Sequence, residues 1–96
     1  MAQLTVSRRA VEDLARLIVT HSLPSDTPAR VTRSLRPLAE FPLMGSPVEG
    51  TPYRFLLGPW RWMLIVYVHD EDVDRVTVIG IEDARSASAV SAMRRP

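Results

Sequence analysis

Residues 51–68 read TPYRFLLGPWRWMLIVYV, and the reading of this stretch decides the fold. Two apolar runs, Tyr53 to Leu57 and Trp60 to Val68, flank Gly58-Pro59. Aromatic and β-branched residues crowd the second run and Gly-Pro is a strong turn signal, so the pattern predicts a β-hairpin. Both Trp, both Tyr and one of the two Phe fall inside it. So do two arginines, Arg54 and Arg61, set in an otherwise apolar ribbon.

A two-residue turn at Gly58-Pro59 pairs Leu57 with Trp60, Leu56 with Arg61 and Arg54 with Met63. Alternation then puts Arg54, Leu56, Arg61, Met63, Ile65 and Tyr67 on one face. Tyr53, Phe55, Leu57, Trp60, Trp62, Leu64, Val66 and Val68 share the other. The second set is the more apolar and is expected to lie under helices, leaving the two arginines on an open face. A turn longer by one residue would split them between faces. The plain alternative is a pair of solvent-facing strand arginines bound to Glu82 or Asp83. Two guanidinium groups beside apolar and aromatic surface suit a phosphate-bearing ligand or an acidic, amphipathic partner segment.

Upstream, residues 2–6 alternate weakly and predict a short first strand. Ser7 is a suitable N-cap, and Val11, Leu14, Ala15 and Ile18 then recur at helical spacing. Arg8, Arg9, Glu12, Asp13 and Arg16 are expected on the wet side. Leu23 precedes Pro24, which ends this helix near His21-Ser22. A second helix restarts at Asp26-Thr27-Pro28, with proline in the first turn where its missing N–H costs nothing. Val31, Leu35 and Leu38 continue an apolar stripe. Pro37 inside a helix would cost roughly 3 kcal/mol, so a kink or an end is expected near Arg36. Two helices joined by about five residues form an antiparallel hairpin.

Residues 42–52, PLMGSPVEGTP, read as an ordered loop. Beyond the β-hairpin, HDEDVDR turns the chain, Val73 to Ile81 alternates as a third long strand, and 84–94 reads as a short helix or tail. The acids Asp70, Glu71, Asp72 and Asp74 read as a solvated turn. The expectation is one α+β domain spanning 1–96, ordered β-α-α-β-β-β. A helical hairpin covers a mainly antiparallel four-stranded sheet, with the first strand at an edge.

Composition bounds the function. Of 96 residues, 46% are hydrophobic and 24% charged, ordinary for a globular domain. The chain has no cysteine, which rules out disulfides and thiolate metal sites. His21 and His69 match no metal-ligand spacing, so no metal or cofactor is expected. No apolar run is long enough to span a bilayer and the N-terminus lacks the order of a signal peptide, which points to a cytoplasmic protein without membrane contact. Net charge is only +1, yet all twelve basic residues are arginine, the side chain suited to bidentate phosphate and carboxylate contacts. Residues 1–36 hold six arginines against three acids.

Several segments together carry a family likeness. They are Ala10, Asp13-Leu14 and Ile18; Ala29, Leu35 and Leu38; Phe41-Pro42 and Met44-Gly45; Tyr53-Arg54; Trp60-Arg61; Val66-Tyr67; and Ile79 to Arg85. In this order the chain resembles the RelE/ParE toxin superfamily over about residues 4–88. The resemblance implies the toxin of a type II toxin–antitoxin module, with a cognate antitoxin as partner. The RelE-like branch cleaves mRNA on the ribosome; the ParE-like branch poisons DNA gyrase without catalysis, and a degenerate toxin would keep only antitoxin binding. For the RelE-like branch it implies catalytic roles for Arg61 at the scissile phosphate, Arg54 on the preceding strand and Arg85 after the last strand. Arg54, Arg61 and Tyr67 would then contact RNA. The tyrosine or histidine common after the last arginine is absent from Ser86-Ala87-Ser88-Ala89. Glu82, Asp83, Glu49 and His69 are the remaining proton carriers, none of them in a motif, and His69 reads as surface.

Overall fold

A computed structural model describes residues 1–85 in the order β1 (Gln3–Val6), α1 (Arg8–His21), α2 (Thr27–Leu35), α3 (Pro37–Glu40), β2 (Ser46–Pro47), β3 (Tyr53–Leu57), β4 (Met63–Asp70) and β5 (Arg75–Asp83). The expected helix or tail at 84–94 falls almost wholly outside these residues. The sheet has five strands in the order β1-β5-β4-β3-β2. The fifth, beyond the four expected, is the two-residue β2 inside the Pro/Gly-rich loop, where Ser46 and Pro47 pair with Phe55 and Arg54. Strands β2 to β5 are antiparallel, and β1 joins the far edge parallel to β5. No described helix is long and apolar enough to cross a membrane.

The helix boundaries follow local chemistry. The Ser7 hydroxyl accepts from Ala10 N at 3.1 Å, and α1 stops where Ser22 turns left-handed at φ 51°. Pro28 occupies the first turn of α2, and Pro37 ends that helix and opens the single turn α3. Asp26 occupies the N-cap position of α2 without a side-chain capping bond; its carboxylate pairs with Arg30 at 2.9 Å.

The hairpin register differs from the two-residue-turn expectation. Leu57 faces Leu64, Leu56 faces Ile65, and Arg54 faces Tyr67. Gly58 N donates to Met63 O at 2.9 Å and closes a loop that holds Pro59, Trp60, Arg61 and Trp62. Primed two-residue turns need positive φ at their first central residue. Gly58 does not adopt it, and the positive-φ glycine among the described residues is Gly50.

The register moves by four, an even number, so the two side-chain sets survive, but the helices cover the other one. Met63, Ile65 and Tyr67 are fully buried against Ala10, Val31, Leu35 and Leu38. Tyr53 and Leu57 of the expected core set are exposed. The reason is the loop: Trp60 and Trp62 leave the ladder and pack on the core from its rim. Counted as strand residues, they loaded the wrong face.

On β5, a bulge keeps apolar residues inward. Val66 pairs with Gly80 and Tyr67 with Val78, which leaves Ile79 unpaired and switches the alternation. Val76, Val78 and Ile81 therefore all reach the core. Strand β1 ends opposite Val78, so the next edge N–H, that of Ile81, lacks a strand partner. Asp13 fills the gap: its carboxylate accepts from Ile81 N at 3.1 Å. Asp13 is accordingly buried, not on the wet side, while Val11 is 56% exposed. The buried side of α1 is rotated toward this edge.

Candidate functional site

The end of the sheet that carries the β3–β4 loop gathers the unusual chemistry. Trp60 and Trp62 stack with ring centroids 6.4 Å apart. Arg30 of α2 lies over Trp60 at 5.7 Å, and Arg85 lies over Trp62 at 5.2 Å. On Trp62 the imidazole of His21, in the last turn of α1, stacks at 4.3 Å and 30°.

Asp83 ties this cluster to β5. Its carboxylate accepts from Arg85 N at 2.8 Å, Arg85 Nε at 3.1 Å and Arg85 Nη2 at 3.2 Å, and lies 3.3 Å from His21 Nε2. The Arg85 hydrogen bonds hold the Asp83 carboxyl below its usual 3.8, with the His21 charge adding in the same direction. The Arg85 guanidinium is stabilised in turn by Asp83, its main partner. Ala84 N donates to Trp62 O, so Arg61 and Arg85 flank one backbone bond at the same end of the sheet.

Arg54 lies elsewhere. It sits on β3 opposite Tyr67, and its Nη1 donates to Gly45 O at 2.8 Å and Leu43 O at 3.1 Å. Tyr67 completes this clamp: its hydroxyl donates to Pro42 O at 2.8 Å and accepts from Gly45 N at 2.9 Å. Burial pushes the Tyr67 phenol above its usual 10.0. A side chain with no exposed surface cannot stack on RNA, which corrects the RNA-binding role expected for Tyr67. Gly45 has no room for a side chain, since a Cβ would stand 2.6 Å from the Tyr67 hydroxyl and 2.8 Å from Phe55 O. The Phe41-Pro42 and Met44-Gly45 segment is thus a receptor for Tyr67 and Arg54.

The expected arginine face therefore does not form as one patch. Arg61 is exposed in the loop and off the strand, Arg85 follows β5 at the same end of the sheet, and Arg54 is turned to a loop some four residues up β3. Neither Arg54 nor Arg61 pairs with Glu82 or Asp83; Asp83 belongs to Arg85 and His21. His69 is not plain surface. Its side chain is 12% exposed and Nε2 contacts Asp74 at 2.9 Å, across the turn where Asp74 takes φ 48°. Among the described residues no group of three His, Asp or Glu side chains is placed to hold a metal ion. Sequence reasoning named Asp83 among the proton carriers but missed His21 as its partner. They meet only because α1 ends beside the end of β5.

No protein-family model matches the chain, and no curated protein matches it. Solved structures do. The isolated RelE toxin of E. coli superposes with a TM-score of 0.67 at 18% identity, over 99% of this chain and 98% of that one. A chain of the intact E. coli RelBE toxin–antitoxin complex gives 0.69 at 18% identity, over 90% and 100%. A chain of the chromosomal ParDE system of P. aeruginosa gives 0.70 at 15% identity, over 88% and 98%. This chain therefore has the RelE/ParE toxin fold that the sequence resemblance implied.

Proposed function

We propose that the protein is the toxin of a type II toxin–antitoxin module and acts as a RelE-like, ribosome-dependent mRNA endoribonuclease. The observation that carries the reading is the Ala84–Trp62 backbone hydrogen bond, which sets the chain positions of Arg61 and Arg85 at the same end of the sheet. Two guanidinium groups there can flank one phosphate and stabilise the charge that develops as the phosphodiester is attacked. Arg54 serves this site at a distance, by fixing the loop that borders β3.

The antitoxin reading has its own support. Val11, Leu14, Ala15 and Ile18 of α1 face Val31 and Leu35 of α2 across an open apolar groove of about 300 Å³. The exposed residues Arg8, Arg9, Arg16, Arg30, Arg33 and Arg36 are carried on and beside the same two helices. An acidic, amphipathic helical segment of the antitoxin complements both features.

The test is expression in cells with mRNA ends mapped by primer extension and DNA breaks followed in parallel. Cuts at codon positions that disappear in Arg61→Ala are expected. Gyrase-dependent DNA breaks with intact mRNA would establish the ParE-like alternative instead, and neither effect would mark a degenerate toxin.

A further inference from the structure

We propose that His21 is the proton-transfer residue of this site and that Asp83 is its positioning residue. The inference rests on the ribonuclease reading and supplies what Arg61 and Arg85 lack. A guanidinium stays protonated and cannot carry a proton, whereas an imidazole exchanges one near neutral pH.

Geometry singles out His21 among the groups able to do this. Its ring is locked from two sides, stacked on Trp62 at 4.3 Å and with Nε2 3.3 Å from Asp83 Oδ2. Asp83 occupies the Nε2 side, and Nδ1 has no hydrogen-bond partner among the described residues, so Nδ1 is the nitrogen assigned to the substrate. The side chain is 24% exposed, enough to be reached and too little to swing freely. The charged groups around it are Asp83 and, through Asp83 and the Trp62 face, Arg85. His69 is the other imidazole, but its Nε2 is engaged by Asp74 and its Nδ1 is buried.

The chemistry balances with water as the only co-reactant. Neutral His21 takes the proton of a ribose 2′-hydroxyl at Nδ1. The 2′-oxygen bonds to phosphorus, and the bond from phosphorus to the 5′-oxygen breaks. Water protonates that 5′-oxygen, and the imidazolium returns its proton to solvent. The products are a 2′,3′-cyclic phosphate and a 5′-hydroxyl end. Asp83 steadies the imidazolium that forms in between.

The experiment uses the full chain on ribosomes programmed with mRNA, with single-turnover cleavage followed from about pH 5 to about pH 9. His21→Ala and His21→Gln should each slow cleavage by about 100-fold or more, abolish the rise of rate with pH, and regain part of the rate from free imidazole. Asp83→Asn should lower kcat with little change in KM, and Asp83→Glu should restore part of it. Melting temperature and antitoxin binding of His21→Gln should match the unmodified chain. A folded His21→Gln chain that cleaves at full rate with an unchanged pH profile, while Arg61→Ala does not cleave, would overturn the assignment and leave the ribonuclease reading standing. An unmodified chain that leaves mRNA intact would overturn both.

Discussion

At the residue scale, two buried polar side chains hold backbone groups that have no other partner. Tyr67 serves Pro42 O and Gly45 N, and Asp13 serves Ile81 N. Tyr67→Phe keeps the ring and strands two backbone groups, so it should cost about 1–3 kcal/mol in urea denaturation. Gly45→Ala should cost at least as much, because its Cβ meets the Phe55 carbonyl, which cannot give way as a flexible side chain could. Titration offers a further check on two groups. Asp83 is depressed when folded, so its contribution is present above about its ordinary 3.8 and fades as pH falls through the lower folded value. Tyr67 is raised when folded, so its contribution is whole below 10.0 and is lost as pH rises through the higher folded value. Denaturation midpoints should therefore drop at both extremes. Asp83→Asn should flatten the acid limb and Tyr67→Phe the alkaline one.

At the element scale, the decisive features are an even shift of register and a bulge. The hairpin's alternating sets were readable from residues 53–68, yet their burial was not. Alternation says which side chains share a face, and only the helices' position says which face is covered. Trp60 and Trp62 misled because a tryptophan packs as well from a loop rim as from a strand. Trp62→Ala should cost about 3 kcal/mol in thermal or urea unfolding, and should also free the His21 ring, read as increased histidine side-chain mobility by NMR. The bulge makes a sharper test. Deleting Ile79 would remove the unpaired residue and leave simple alternation, with Gly80 still opposite Val66 and Ile81 still opposite Ile65 on the face that Val76 and Val78 occupy. That chain should keep cooperative unfolding, measured by calorimetry.

At the scale of the whole molecule, the sheet has one helix-covered face, one charged and aromatic end, and an apolar groove left open between α1 and α2. These features place the two proposed partners apart, nucleic acid at the loop end and antitoxin over the helices. Val11→Glu and Ala15→Glu put a charge on the groove without entering the core. They should weaken co-purification of the antitoxin by about tenfold or more while leaving mRNA cleavage intact, since a buried uncompensated charge costs several kcal/mol at an interface.

Local chemistry alone determined much of this protein. Ser7, Pro24, Pro28 and Pro37 set the helix ends through capping and forbidden backbone bonds, and the alternation of β3 and β4 set which residues act together. Ordered motifs across the chain implied the fold. Tertiary structure decided the rest: the covered face, the burial of Tyr67 and Asp13, the separation of Arg54 from Arg61, and the meeting of His21 with Asp83. Those outcomes depend on contacts between residues distant in the chain, whose energies come from packing and from unpaired backbone groups at a particular sheet edge. No local pattern of residues encodes such an edge before the strands have assembled.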